Sequence, residues 1–314
     1  MNLLKILGVK KKKRILITGA AGFIGSHLYE MLKKEGNIVV GIDNFSHPCG
    51  KVNPEIKWAD VRYYQDIEDY VANSDIVYHL AAQIHVDKSI DHVEETLDTN
   101  IMGTYNILEA CRKHRKKLVF ASTSEIYGQH HLKINESFPT YPQSPYAVSK
   151  LAGDKLCGNY HKLYGARVIR LRNFNTFGPW QNEGQYGAVI PIFVRQALKG
   201  QEITIYGDGK QERDFMYIED CLEGYKIVTG LDTLEGEPIN VGSGRAVSIN
   251  ELAQTICKIV GVPFRPRYLP PRPGEVRKLQ ADISLVEKFG YKPKVGLEKG
   301  LEKYIEWYKE NKLI

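Results

Sequence analysis

Tyr146 and Lys150 stand four residues apart in Ser144-Pro-Tyr-Ala-Val-Ser-Lys150, where a helix is expected to begin. Residues at that spacing share a helix face. An ammonium group beside a phenol favours the phenolate and lowers its pKa, so Tyr146 has the character of a general base near neutral pH. The spacing alone is common, since Tyr29/Lys33, Tyr206/Lys210 and Tyr308/Lys312 share it. Position distinguishes Tyr146. Its helix follows a strand that ends at Thr123, whose hydroxyl can hydrogen-bond the same substrate oxygen.

A second group of residues handles an anion. Thr18-Gly-Ala-Ala-Gly-Phe-Ile-Gly25 follows the apolar run Ile15-Leu16-Ile17 and opens a helical pattern. Gly19, Gly22 and Gly25 let the backbone approach a pyrophosphate, and the helix directs its N–H groups and positive dipole end at the phosphates. The first gap is one residue wider than in the standard dinucleotide fingerprint, and such a turn also serves purely structural ends. The next strand ends in Asp43, 18 residues after Gly25. A carboxylate there accepts bonds from an adenosine ribose and repels a 2′-phosphate, although it can also simply cap a loop. Asn44 follows rather than an arginine, so the pattern favours NAD over NADP.

These residues need a scaffold that brings strand ends together. β-Branched apolar runs at 14–18, 37–43, 55–59, 75–80, 116–122 and 166–171 alternate with helical patterns at 23–35, 65–71, 94–114 and 145–164. That alternation predicts an α/β fold with a doubly wound parallel sheet of Rossmann type. Ligands then bind beyond the carboxyl ends of the strands. Asp60, Ala81-Ala82-Gln83, Ser122-Thr123-Ser124-Glu125 and Asn173-Phe-Asn175 each follow a strand, so they are expected along one cleft. After Gly178 the pattern loosens into shorter elements broken by Gly207-Asp-Gly209, Gly242-Ser-Gly244 and Pro270-Pro-Arg-Pro-Gly274. The expected division is a basic leader over 1–13, an NAD-binding domain over 14–178 and a mainly substrate-binding lobe over 179–314 that shares elements with it. Leu297 to Leu313 reads as a docked amphipathic helix.

The bulk numbers narrow the class. The 314 residues are 43% hydrophobic and 25% charged, with a net charge of +6. This is an ordinary globular composition, and Lys10-Lys-Lys-Lys-Arg14 reads as a solvated leader rather than a nucleic-acid or membrane patch. No apolar run approaches the ~20 residues of a membrane span. Cys49, Cys111, Cys157, Cys221 and Cys257 are scattered and odd in number, which fits a reducing cytoplasm. The nine histidines, including His130-His131, show no metal-ligand spacing, and no metal is expected.

The blocks TGAAGFIG, HLAAQIHVDKS, TNIMGT, ASTSEIYG, SPYAVSK, RNFNTFGP, YGDGKQERDFMYIEDC and RPGEVRK run through the chain in order. Together they resemble an extended short-chain dehydrogenase/reductase of the nucleotide-sugar epimerase/dehydratase family. The resemblance implies bound NAD, a nucleoside-diphosphate sugar and a homodimer formed through the helices near 94–114 and 145–164. It places Gly19, Gly22, Phe23, Ile24 and Gly25 at the pyrophosphate. Asp43 and Asn44 go to the adenosine ribose, and Asp60 and Val61 to the adenine edge. Ala81, Ala82, Gln83, Asn100, Ser122, Tyr146 and Lys150 would also contact the cofactor. Thr123, Asn175, Val189, Tyr206, Arg213, Arg272 and Glu275 would bind substrate, the arginines as planar phosphate or ribose donors.

The same resemblance implies the reaction. Tyr146 takes the proton of the sugar 4-hydroxyl while C4 is oxidised, giving a 4-keto sugar, and NAD is regenerated before turnover ends. Thr123, Glu125, Tyr146 and Lys150 form the expected catalytic set. Glu125 discriminates among activities, because simple 4-epimerases of the family usually carry a small residue there, whereas dehydratases and uronate decarboxylases carry glutamate. The strand period of two returns Glu125 to the face of Thr123. Ser124 departs from dTDP-glucose-type dehydratases, which place aspartate there, but Thr-Ser-Glu occurs in GDP-mannose-type dehydratases and in decarboxylases. Tyr-Ala-Val-Ser-Lys differs from the Tyr-Asp-Glu-Gly-Lys of decarboxylases, and Arg272-Pro-Gly-Glu-Val-Arg277 is similar to 4-epimerases. The expectation leans to a 4,6-dehydratase, with a 4-epimerase and then a glucuronate decarboxylase as alternatives. A non-catalytic NAD-binding regulator is the remote one.

Overall fold

A computed structural model describes residues 12–48, 53–183, 187–272 and 276–311. The apolar runs form β1 (Arg14–Thr18), β2 (Ile38–Asp43), β3 (Lys57–Trp58), β4 (Ile76–His79), β5 (Lys117–Thr123) and β6 (Val168–Asn173). The second half contributes β7 (Asn175–Phe177), β8 (Ile203–Tyr206), β9 (Glu212–Tyr217), β10 (Pro238–Val241), β11 (Ala246–Ser248), β12 (Pro266–Leu269) and β13 (Lys278–Leu279). The central sheet is parallel, in the order β10-β6-β5-β4-β1-β2-β3. Its middle strands β4 and β5 are buried, because helices cover both faces. The expected strand at 55–59 shrinks to the two exposed residues of β3, the edge with one partner.

The helices are α1 (Phe23–Lys34), α2 (Tyr64–Ala72), α3 (Val86–Asp91), α4 (Val93–Leu97), α5 (Gly103–His114) and α6 (Pro145–Tyr164). In the second half follow α7 (Val189–Leu198), α8 (Ile218–Thr229), α9 (Ile249–Val260), α10 (Ser284–Glu287) and α11 (Leu297–Asn311). The single helix expected over 94–114 is instead α4, a π-helical turn Asp98–Met102 and α5. The wider turn carries Asn100, whose amide donates to the Gln83 carbonyl (3.0 Å) and the Ser149 hydroxyl (2.9 Å). Such a bulge re-aims one side chain without ending the helix.

The other elements position the site. Switch-point topology at β1 and β4 opens a crevice beyond their carboxyl ends. β10 comes from the second half of the chain yet pairs with β6, so the two halves share one sheet. β7 and β9 pair next to the end of β6 and carry the opposite wall. A buried ion cluster clamps α6 to β6. Asp154 accepts from Arg172 Nε (3.0 Å) and Nη2 (2.9 Å) and from Arg170 Nη1 (2.9 Å).

Candidate active site

The turn after β1 leaves no space for side chains. Gly19 has φ +71°, and a Cβ there would lie 2.6 Å from the Ala81 nitrogen. A Cβ on Gly25 would lie 2.1 Å from the Gly19 carbonyl oxygen. Gly22 precedes α1 without a side-chain cap, so the first-turn N–H groups face the cleft with no internal acceptor. At the tip of β2, Asp43 accepts from the Ala21 N–H (2.9 Å) and the Phe45 N–H (2.8 Å), which aims its carboxylate at the cleft mouth. Burial raises its pKa and these backbone donors pull it back.

One cleft of about 770 Å³ runs along the strand ends. Gly19, Gly22, Phe23, Ile24, Gly25, Asp43, Asn44, Val61, Ala81, Ala82, Gln83 and Ser122 line its cofactor side. Thr123, Glu125, Tyr146 and Lys150 line its floor, and Asn175, Val189, Tyr206, Arg213 and Arg272 its far wall. Two expected contacts do not line it. Asp60 is buried and saturated, accepting from Arg62 Nε (3.0 Å), Arg62 Nη2 (2.7 Å) and Asn44 Nδ2 (3.0 Å), and Arg62 faces the cleft in its place. Asn100 is a buried brace between the Ala81–Gln83 segment and α6. Glu275 lies outside the described residues.

The floor is built by two caps. Ser144 accepts from the Ala147 N–H (3.1 Å), and Pro145 starts α6. Ser89 of α3 accepts from the Tyr146 N–H (3.1 Å), which fixes the tyrosine on the helix. Thr123 caps the short turn Ser124–Tyr127 through the Glu125 N–H (3.2 Å). The same threonine hydrogen-bonds the Tyr146 phenol. Residues 23 positions apart in sequence therefore meet.

The electrostatics of the floor are set by burial. Burial raises the Tyr146 phenol to about 12 and Glu125 adds to the rise, while Thr123 opposes it. The protein groups alone therefore hold Tyr146 protonated, so its role as a base rests on a further positive charge beside the phenol. The cause is the burial of the phenol itself. Lys150 is desolvated as well, with Nζ 4.5 Å above the Phe120 ring and its pKa lowered to about 8. Glu125 is half-buried, and its pKa is raised by burial and lowered in part by Arg213. Asn175 keeps a buried Oδ1 without a partner on the far wall. Arg272 pairs with Asp87 (3.3 Å) and stacks over Tyr206 at 4.3 Å, bridging the cleft mouth.

Sequence reasoning passed over several lining residues, among them His47, Arg62, His85, Gln181 and Gln196. His85 lies inside the HLAAQIHVDKS block and Gln181 directly after RNFNTFGP-Trp180, so proximity to those blocks was an available signal. His47 and Arg62 carried none. Among the described residues no cluster of metal-ligating side chains occurs.

Glycine cradle, uncapped helix end and strand-tip carboxylate fit a dinucleotide, and Lys150 and Tyr146 line the same cleft. The sequence model of the NAD dependent epimerase/dehydratase family matches residues 15–242. The chain is 38% identical to a UDP-N-acetyl-alpha-D-glucosaminuronate decarboxylase of Bacillus cytotoxicus, across 95% of this chain and 98% of that one. It is 36% identical to a putative UDP-glucose 4-epimerase of Methanocaldococcus jannaschii, across 95% and 99%. The solved dTDP-glucose 4,6-dehydratase DesIV of Streptomyces venezuelae, with NAD and TYD bound, superimposes with a TM-score of 0.88 at 30% identity, across 95% of this chain and 97% of that one. By family match, by relatives and by fold, this chain belongs to the NAD-dependent epimerase/dehydratase family of nucleotide-sugar enzymes.

Proposed function

We propose that the protein converts a nucleoside-diphosphate sugar through a transient 4-keto sugar, as a 4,6-dehydratase. The observation that carries this reading is Glu125, a desolvated carboxyl on the floor beside Thr123 and Tyr146. Oxidised nicotinamide, when bound, supplies a hydride acceptor for sugar C4 and a positive charge beside the phenol. Tyr146 Oη removes the proton of the 4-hydroxyl, and Thr123 holds that oxygen. Lys150 holds the nicotinamide ribose. Once C4 is a ketone, the C5 proton is acidic. Glu125 takes it and passes it to the C6 hydroxyl, which leaves as water. The hydride taken from C4 then returns to C6 and a solvent proton to C5, giving a 4-keto-6-deoxy sugar and leaving the nicotinamide oxidised. A carboxyl whose pKa burial has raised takes up a proton more readily than an exposed one and can then pass it on, which suits both transfers.

A second reading, 4-epimerisation, is favoured by Ser124. It stands where a leaving-group acid would be useful, is 2% exposed and carries no carboxyl. The deciding experiment incubates the protein with UDP-glucose, UDP-glucuronate, UDP-N-acetylglucosamine, dTDP-glucose and GDP-mannose and reads the products by NMR. A 6-methyl signal supports dehydration. Inversion at C4 with every atom retained supports epimerisation, and loss of the carboxyl carbon supports decarboxylation.

Residues 14–178 carry the cofactor and 179–314 mainly the nucleotide sugar in this reading. The active form is a homodimer joined through α5 and α6. Exposed Met102, Tyr105, Val148 and Leu163 along these helices support it, and light scattering tests it. The free, buried Cys111, Cys157, Cys221 and Cys257 are in keeping with a reducing cytoplasm.

A further inference from the structure

Gln181 belongs to no part of the site assigned so far. Its Nε2 donates to the Thr176 carbonyl (2.9 Å), which settles the orientation of the amide. Its Oε1 is therefore the atom turned the other way, and it is buried without a partner in the wall of the cleft. A buried acceptor left unpaired is costly, so the site is completed by a donor.

The backbone before it is held in a rare conformation. Trp180 has φ +67°, a left-handed value uncommon for a bulky residue. Its ring is wedged edge-on against Trp307 of α11 at 4.8 Å, and Trp307 stacks on Tyr304 at 5.7 Å. The aromatic clamp holds a turn that sends Gln181 inward. Strain of this kind persists only where surrounding packing enforces it, and it gathers at ligand sites.

The neighbours locate the oxygen along the cleft. A Cβ on Gly178 would lie 3.7 Å from the Phe23 ring at the start of α1, and Asn182 reaches His85 Nε2 (3.4 Å) beyond β4. Gln181 lines the cleft between these two contacts, one at the start of α1 and one after β4. A pyrophosphate offers acceptors only. The donors in that region of a bound dinucleotide are the ring carboxamide and the ribose hydroxyls of the nicotinamide half.

We propose that Gln181 Oε1 accepts a hydrogen bond from the nicotinamide half of NAD and orients that half against Tyr146. The test is calorimetric. Full-length protein freed of nucleotide is titrated with NAD, with 3-acetylpyridine adenine dinucleotide, whose ring bears a methyl ketone in place of the amide, and with ADP, which lacks the nicotinamide half. Gln181→Met should bind NAD about three- to tenfold more weakly than the parent and ADP equally well. If the ring amide is the donor, the parent prefers NAD to the ketone analogue and the variant loses that preference. If a ribose hydroxyl is the donor, the variant loses the same factor for both dinucleotides. Either result supports the assignment. Unchanged NAD affinity, or an equal loss for ADP, overturns it. Should Gln181→Met not fold, Gln181→Asn, which withdraws the oxygen by one methylene, gives the same readout.

Discussion

Replacing Asp154 with asparagine removes a charge from a site where water cannot compensate. The carboxylate is fully buried, and the side chains of Arg172 and Arg170 that it pairs with are 3% and 11% exposed. Arg172 grips it with two nitrogens, and the guanidiniums hold its pKa below the usual carboxylate range. Losing one partner of such a pair leaves uncompensated buried charge, at a cost of about 3–5 kcal/mol. With about 2.1 cal/mol/K of unfolding entropy per residue, the 314-residue chain should melt about 5–8 °C lower. Thermal and urea unfolding of Asp154→Asn against the parent measures this. Because Asp154 also raises the Lys150 pKa, the alkaline limb of the pH–rate profile should move to lower pH in the same variant. Replacing the pair by Asp154→Leu with Arg172→Met should recover part of the loss, since apolar groups carry no desolvation cost. A melting temperature within about 1 °C of the parent for Asp154→Asn would refute the reasoning. So would a double variant no better than Asp154→Asn.

Tyr146→Phe should lower kcat by about 10²–10⁴ while NAD affinity, read by calorimetry, stays within a factor of a few. Near-parental turnover would remove Tyr146 from the chemistry. His79 is buried between Thr18 and Thr104 with its pKa lowered to about 3. The unfolded chain binds its proton near pH 6.5 and the folded chain does not, so stability falls as pH drops from 6.5 toward 3. The slope approaches about 1.4 kcal/mol per pH unit. His79→Asn should flatten that slope in urea titrations across the range, and an unchanged slope counts against the assignment. Gly25→Ala drives a Cβ into the Gly19 carbonyl and should abolish NAD binding or lower the melting temperature sharply. A variant with parental affinity and stability would mean the turn is not tight.

Much of the architecture was legible because sheet strands buried on both faces must be continuous apolar runs. β1, β4 and β5 are such runs, and their ends announced Gly19, Ala81 and Thr123 as cleft residues. The α6 start was equally plain, since Ser144 and Pro145 are an N-cap and first-turn pair. The break of 94–114 into three segments was not. A π turn is enforced by the distant partners of Asn100, Gln83 and Ser149, and no local pattern encodes them. The paired states of Asp60 and Arg272 were hidden for the same reason, because Arg62 and Asp87 reach them only in the folded chain.

The order of residues alone determined which groups the proposed chemistry would use: a glycine turn ahead of a helix, an acid at the second strand tip, and a tyrosine and lysine on one helical face. These are local or periodic properties, set by sterics and by the 3.6- and 2-residue repeats. Tertiary structure alone decided that Tyr146 and Lys150 both line the cleft, and what these groups titrate as. Tyr29 shares the spacing, yet its hydroxyl is bound to Glu55 on the far side of α1. Tyr146 is held protonated by burial and by the nearby Glu125, with Thr123 opposing. Desolvation and charge–charge energies depend on what surrounds a group in space, and that surrounding is assembled from strands and helices that the chain order keeps apart.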